Sequence, residues 1–485
     1  MITRSFPPCS PIRGPKPTGA AARGRWVVLV LALGAIGCAQ QRPNLVIVSL
    51  DTLRADRLGA YGNTDGLSPN IDRFAGESWV FDQAFAQANE TIYSHASLFT
   101  SRYPSELMAL RGDFRIPDGT RTLAGALHGA GWETAGFVAG GHMAQEYGLS
   151  AGFTRWEDGA SWGSLQETGA QAIHWLDTRK DEKPFFLLIH GYDTHERYLK
   201  PPPFGRSALP IDTPKSDGQS SENHADTLGE ALGEQVGGAS LVFDGHALSS
   251  VDAALWLSSE RSRFDRGAGL AHWDPGATAL QPKDVAHLAG LYDGAVVWMD
   301  AQFGLLMADL EERGVLDTAW VVVLSDHGEE LGELGTFGHR AGLADTNLHV
   351  PLLIRPPGGG PGLRLDPLVG LIDVAPTLLD VLGQEGLLGA EGRSLLSLMD
   401  GVPDWETRPV FSEGALRLLS ARGSGARLTC EGLSSDNPHT SSLIRSLPID
   451  DRTLRLTGDG AEAESLRKAL ADWNEVLQTR RVGQP

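Results

Sequence analysis

Cysteine is nearly missing from this chain, with three in 485 residues. Cys9 and Cys38 fall close to the start, which leaves Cys430 alone in the body, too few for a disulfide framework or a cysteine-held metal cluster. Positive charge is also scarce. Lys and Arg total 41 against 61 Asp and Glu, a formal net charge of −20, and this balance argues against a nucleic-acid partner. The apolar run WVVLVLALGAI, Trp26 to Ile36, is shorter than the roughly 20 residues that a membrane-spanning helix needs. No internal repeat is present. With 41% hydrophobic and 21% charged residues, the chain has enough apolar material for one large or two unequal globular domains.

Residues 1–37 read as a signal peptide of the lipoprotein type. They carry Arg4, Arg13, Lys16, Arg23 and Arg25 with no acidic residue, then the apolar run, then the small residues Ala35 and Gly37 before Cys38. The segment AIGC resembles a bacterial lipobox, so a lipid anchor at Cys38 is expected, and with it a periplasmic or cell-envelope location. An ordinary cleaved signal, the simpler reading, also places the working part outside the cytoplasm. Without those five charges the mature chain carries about −25.

NLVIVSL (Asn44 to Leu50) is a continuous apolar run of the kind buried on both faces of a parallel sheet, and it ends at Asp51. PFFLLIHGY runs in the same way into Asp193, and AWVVVLS into Asp326 and His327. Between the last two lies a helical pattern, in which Leu288, Tyr292, Val296, Met299, Phe303, Leu306 and Leu310 recur at three- and four-residue spacing; Gly314 is a suitable stop. The expected fold is α/β, a large central mostly parallel sheet flanked by helices over 43–400. A small C-terminal α+β subdomain follows at 401–485, with a hairpin in LRLLSARGSGARLTC. Residues 205–280 are rich in Gly, Ser, Asp and Glu with weak periodicity, and read as a flexible insert over the face where ligands gather.

In such sheets ligands collect beyond the carboxyl ends of the strands, where all three aspartates fall. Asp51, Asp326 and His327 offer two oxygens and a nitrogen to a hard-to-borderline divalent cation, and Thr91 offers a fourth ligand. A lone strand-end aspartate also serves as a turn or cap residue; the combination favours a metal site.

The blocks RPNLVIVSLDTLRADRLGAYG, SPNIDRFAGESWVFDQAFAQANETIYSHASLFTSRYP, FFLLIHGYDTHERY, VVVLSDHGEELGELGTFGHR and VPLLIRPPG with LIDVAPTLLDVLG resemble, in order, those of the sulfatase family within the alkaline phosphatase superfamily. That resemblance implies an alkaline phosphatase-like fold and a metal held by Asp51, Asp326 and His327, with position 91 as its bound nucleophile. It also implies that His195 and His339 line the anion pocket or protonate the leaving group, and that Asp193 orients His195 or joins a second metal. One divalent ion is favoured, calcium, manganese or zinc.

The departures from that pattern bear on chemistry. The family's usual cysteine or serine, then proline and arginine, are here Thr91, Tyr93 and His95, and the lysine expected after GFVAG is replaced by Gly141 and His142. Threonine carries a methyl group on Cβ, so it cannot be oxidised to formylglycine. It keeps a hydroxyl that a cation can activate. The expected activity is therefore metal-dependent hydrolysis or transfer of a phosphate or sulfate ester through Thr91, on an anionic ester that is carbohydrate- or lipid-linked. The alternatives are a sulfatase working without formylglycine and a catalytically silent binding protein of the envelope. Ser94 and Ser97 are weaker nucleophile candidates. Arg102 is expected to brace its loop, and Arg111 to contact an anion or to be a solvated surface charge.

Overall fold

A computed structural model of the protein describes residues 42–107, 115–159, 162–180, 182–196, 198, 240–243, 246–249, 282–333, 337–339, 342–402, 405–414, 418–430, 454–458 and 462–482. Within these, the elements that build the site are, in chain order, β1 (Asn44–Leu50), β2 (Trp79–Phe81), α1 (Thr91–Thr100), β3 (Glu133–Phe137), β4 (Arg155–Glu157), α2 (Leu165–Thr178), β5 (Phe185–Gly191), α3 (Pro282–Glu312), β6 (Ala319–Leu324), β7 (Leu352–Arg355) and β8 (Leu363–Leu365). Beyond them come β9 (Val410–Glu413), β10 (Leu419–Arg422), β11 (Ala426–Cys430), β12 (Leu454–Gly458) and α4 (Ala463–Val482).

Eight strands form one sheet in the order β8-β2-β7-β6-β1-β5-β3-β4. The three apolar runs are its centre. β1 pairs in parallel with β5 (Ser49 opposite His190) and with β6 (Ser49 opposite Leu324), while β7 is antiparallel to both its neighbours. Side chains alternate between two cores. Leu45, Ile47, Phe186, Leu188, Val322 and Leu324 enter one, and Val46, Val48, Leu187, Ile189, Val321 and Val323 the other. Burial on both faces is why these strands are apolar without alternation. Helix α3 covers the second face with the seven residues picked out by their spacing, all buried, and Gly314 follows it at φ 65°.

The small sheet β9-β10-β11-β12 is antiparallel throughout and is covered by α4. Leu466, Leu470 and Trp473 of α4 share a core with Ala421 and Leu428 of this sheet and with Tyr103 and Ile372 of the main body. β9 also meets the segment leading into α1: Ser412 Oγ donates to the Ala86 carbonyl at 2.7 Å and Glu413 N to the Gln87 carbonyl at 2.8 Å. The described residues from Arg42 onward make one compact unit. Of the insert expected at 205–280, only the antiparallel pair Ser240–Phe243 and His246–Ser249 is described. Cys38 with the signal segment, and Arg111, lie outside the described residues.

Candidate active site

Because β1, β5 and β6 run parallel, the residues that follow them emerge at one edge. Asp51 and Asp326 leave neighbouring strands there, both fully buried with His327. One ligand atom from each of the three lies within 4.8 Å of the others. Thr91 opens α1 against them, its Oγ1 donating to Asp51 Oδ2 at 3.1 Å and standing 3.4 Å from His327 Nε2. The four residues anticipated as a metal-and-nucleophile group are therefore brought together.

The arrangement fits a cation. Asp51 Oδ1 and Asp326 Oδ2 are buried acceptors without a hydrogen-bond partner among the described residues, which is costly unless positive charge meets them. Burial, opposed in part by the neighbouring His327 imidazole and the Thr91 hydrogen bond, pushes the Asp51 carboxyl up to about 6; burial and the nearby Asp51 charge raise Asp326 as well. His327 Nδ1 lies 2.9 Å from the Gly328 carbonyl, so this nitrogen carries the hydrogen and Nε2 keeps its lone pair for a metal.

The surrounding backbone is tightly fixed. Thr52 adopts φ 58°, its N–H 3.4 Å from Asp326 Oδ1 and its carbonyl accepting from Tyr292 Oη at 2.7 Å. Leu53 N donates to Ser325 Oγ, which donates to the His327 carbonyl. Ser94 Oγ donates to the Asp326 carbonyl at 2.6 Å, so this hydroxyl fastens α1 to the loop that carries Asp326. Ser97 Oγ is buried one turn further along. Arg102 braces, its Nε donating to Glu106 Oε2 at 3.1 Å.

His195 and His339 also reach this place. The rings of His327 and His339 are 4.4 Å apart, those of His339 and His195 5.2 Å, and His339 Nδ1 lies 3.3 Å from Glu329 Oε1. Asp193 has another duty. Its Oδ2 accepts from Leu165 N at the start of α2 (2.6 Å) and its Oδ1 from the Trp298 indole (3.0 Å), so both oxygens support the scaffold and a second metal at Asp193 is not favoured.

Two further histidines complete the group: His95, noted in the sequence only as the residue at the family's arginine position, and His190, which the sequence did not single out. His95 Nδ1 lies 2.9 Å from the Thr91 carbonyl and 3.5 Å from Asp326 Oδ2, and its Nε2 lies 2.9 Å from Ser49 Oγ. His190, at the end of β5, places Nε2 3.4 Å from Asp51 Oδ2 and its ring 5.3 Å from that of His95. Burial drives both imidazoles down to about 4, so each is neutral at pH 7. Their available signals were His95 four residues after Thr91 and His190 at a strand end.

An eight-stranded α/β sheet with buried acidic residues beyond adjacent parallel strands is the alkaline phosphatase-like architecture. The structure of a phosphonate monoester hydrolase of Agrobacterium radiobacter superposes with a TM-score of 0.63 at 19% identity, over 90% of this chain and 96% of that one. The sulfatase family model matches residues 43–384, and the chain belongs to the sulfatase family. Among curated relatives, an N-acetylglucosamine-6-O-sulfatase of Bacteroides thetaiotaomicron is 24% identical over 420 residues, 76% of this chain and 74% of that protein. An ulvan-active sulfatase of Formosa agariphila is 23% identical over 372 residues, 73% of this chain; the match spans 54% of that protein, about half its length.

Proposed function

We propose that the protein cleaves a sulfate or phosphate-type ester, by hydrolysis or transfer, with Thr91 as nucleophile. The observation that carries this is the Thr91 hydroxyl, hydrogen-bonded to Asp51 Oδ2 at 3.1 Å and 3.4 Å from His327 Nε2 in a cluster otherwise made of cation ligands. Asp51, Asp326, His327 and Thr91 Oγ1 would hold one divalent cation, whose charge when bound favours the deprotonated hydroxyl and draws charge from the ester oxygens. The mixed oxygen and nitrogen donors favour manganese or zinc over calcium.

The hydroxyl hydrogen already points at Asp51 Oδ2, which aligns its departure. Thr91 Oγ1 forms a bond to sulfur or phosphorus, the bond to the ester oxygen breaks, and His195 or His339 gives that oxygen its proton. Water then attacks the Thr91 ester, the imidazole takes the water's proton, and the threonine is released; an acceptor alcohol in place of water makes the reaction a transfer. The Cβ methyl of Thr91 closes the formylglycine route.

A sulfatase acting without formylglycine would use the same residues, and the names of the relatives favour it. The test assays the chain from Ala39, loaded in turn with manganese, zinc and calcium, against aryl sulfate, aryl phosphate monoester and phosphate diester. Turnover lost in Thr91→Ala, with a covalent adduct on Thr91 in acid-quenched protein, supports the proposal and its substrate class. Turnover surviving in Thr91→Ala overturns Thr91 as nucleophile; no turnover of any ester favours the silent binding protein. Export and anchoring at Cys38 belong to the same reading, supported by the basic N-terminal segment and AIGC; among the described residues no helix is long and apolar enough to cross a membrane.

A further inference from the structure

Trp162 stands beside this site in a backbone conformation that a bulky residue rarely adopts. Its φ is 58°, and 46% of the residue is exposed. Left-handed backbone at a side chain of this size is strained, and such strain collects where a side chain must be held at a ligand. The next residue is held from two sides: Gly163 N donates to the Ala139 carbonyl and Tyr192 N to the Gly163 carbonyl, each at 3.0 Å.

The indole ring is 5.0 Å from His195, 4.8 Å from Tyr192 and 5.4 Å from His142. Gly141 makes room for it, since a Cβ at that position would meet Trp162 Cδ2 at 3.3 Å and Tyr192 Oη at 3.2 Å. Gly141 and His142 occupy the place where the family resemblance expects a lysine. In this chain a half-exposed aromatic plane packs against His195, the most exposed imidazole of the cluster.

We propose that Trp162 is a specificity-determining platform for the group carried on the departing oxygen, and that this group is a ring lying flat on the indole. The shared chemistry is a flat apolar face, either the C–H face of a sugar or the π face of an aryl group. The inference rests on His195 serving the departing oxygen, as proposed above. A group small enough to clear the indole, such as methyl, gains nothing from it.

The test uses the full chain loaded with manganese and three esters of the same anion: methyl, phenyl and the 6-ester of glucose. Comparing variant with wild type on each ester cancels their different intrinsic reactivities. Trp162→Ala should lose at least tenfold more kcat/KM on a ring-bearing ester than on the methyl ester, mainly through KM, and Trp162→Phe should restore most of it. Loss on the phenyl ester, the glucose ester or both tells which ring is taken. Trp162→Gly, which suits the left-handed backbone, should show the same selective loss without a lower melting temperature. Equal loss on all three esters, or none, overturns the proposal.

Should wild type turn over no ester, the proposed chemistry fails and the platform is judged separately by saturation-transfer NMR with phenol and methyl glucoside. Signal in wild type that Trp162→Ala abolishes supports the platform. Signal unchanged in the variant, or missing from wild type, overturns it.

Discussion

His95 Nδ1 lies 2.9 Å from the carbonyl oxygen of Thr91, one turn back along the same helix, while its Nε2 lies 2.9 Å from Ser49 Oγ on β1. The neutral ring donates from Nδ1 to the carbonyl and accepts at Nε2 from the serine. It thereby fixes the start of α1, and the Thr91 hydroxyl with it, to the strand that delivers Asp51. His95→Ala is expected to lower kcat by about 10–100-fold with little change in KM, the usual scale for a group that orients a metal-site residue. Ser49→Ala should do the same more weakly. Steady-state kinetics on one ester separates the two constants; a change confined to KM would contradict this positioning role.

Replacing Thr91 distinguishes its hydroxyl from its methyl group. Thr91→Ser keeps the hydroxyl and should retain turnover within about tenfold, whereas Thr91→Ala should lose roughly 10³-fold or more in kcat. Rates and acid-quenched adducts measured on both variants check this.

A bound cation should stabilise the fold, because the two buried carboxylates repel each other without one. At about a hundredfold excess of metal over its dissociation constant the gain is about 2.7 kcal/mol. Asp326→Asn should raise the melting temperature of the metal-free chain, by removing one buried charge, and abolish the rise that metal produces in wild type. Calorimetry with and without manganese reads both effects.

Glu330 gives the fold a pH dependence. Its Oε1 accepts from Thr346 Oγ1 at 2.7 Å and from Asn347 Nδ2 at 3.3 Å, while Oε2 is buried without a partner among the described residues. Burial, with Glu333 nearby, pushes its carboxyl from 4.5 up to about 7. The folded chain therefore holds this proton where the unfolded chain has released it, and the contribution to stability falls as pH rises from about 4.5 through 7. The loss is on the order of 3 kcal/mol. Glu330→Gln should raise the melting temperature at pH 8 and leave it nearly unchanged at pH 4; an equal effect at both would refute the assignment.

Much of the fold and the cluster of Asp51, Thr91, Asp326 and His327 was legible in the sequence because burial on both faces writes an unbroken apolar run, and the runs at β1 and β6 each end in the buried acidic residues of that cluster. Helix α3 announced itself by one apolar stripe. Helix α1 could not do so, since nine of its ten residues are buried and no polar face marks its orientation; His95 was legible only as the residue at the family's arginine position, without its contacts. His190 lies inside an otherwise apolar strand, where one buried imidazole leaves no periodic trace. Trp162 depends on a backbone angle that no residue pattern encodes. Asp193 was readable as a strand-end carboxylate, but its use by Leu165 and the Trp298 indole depends on contacts with distant segments.

The pairing of β1 with β6 joins the first described strand to one encoded far downstream; Thr52 and Asp326, in hydrogen-bonding contact, are 274 residues apart. A ribosome making this chain finishes Thr91 early and Asp326 and His327 late. A chain made only as far as Ala319 lacks Asp326 and His327, and once they are added they must still close a loop over this long span. A polypeptide cut anywhere before Ala319 would carry Thr91 and Asp51 without Asp326 and His327, and the four meet only as the centre of the sheet closes.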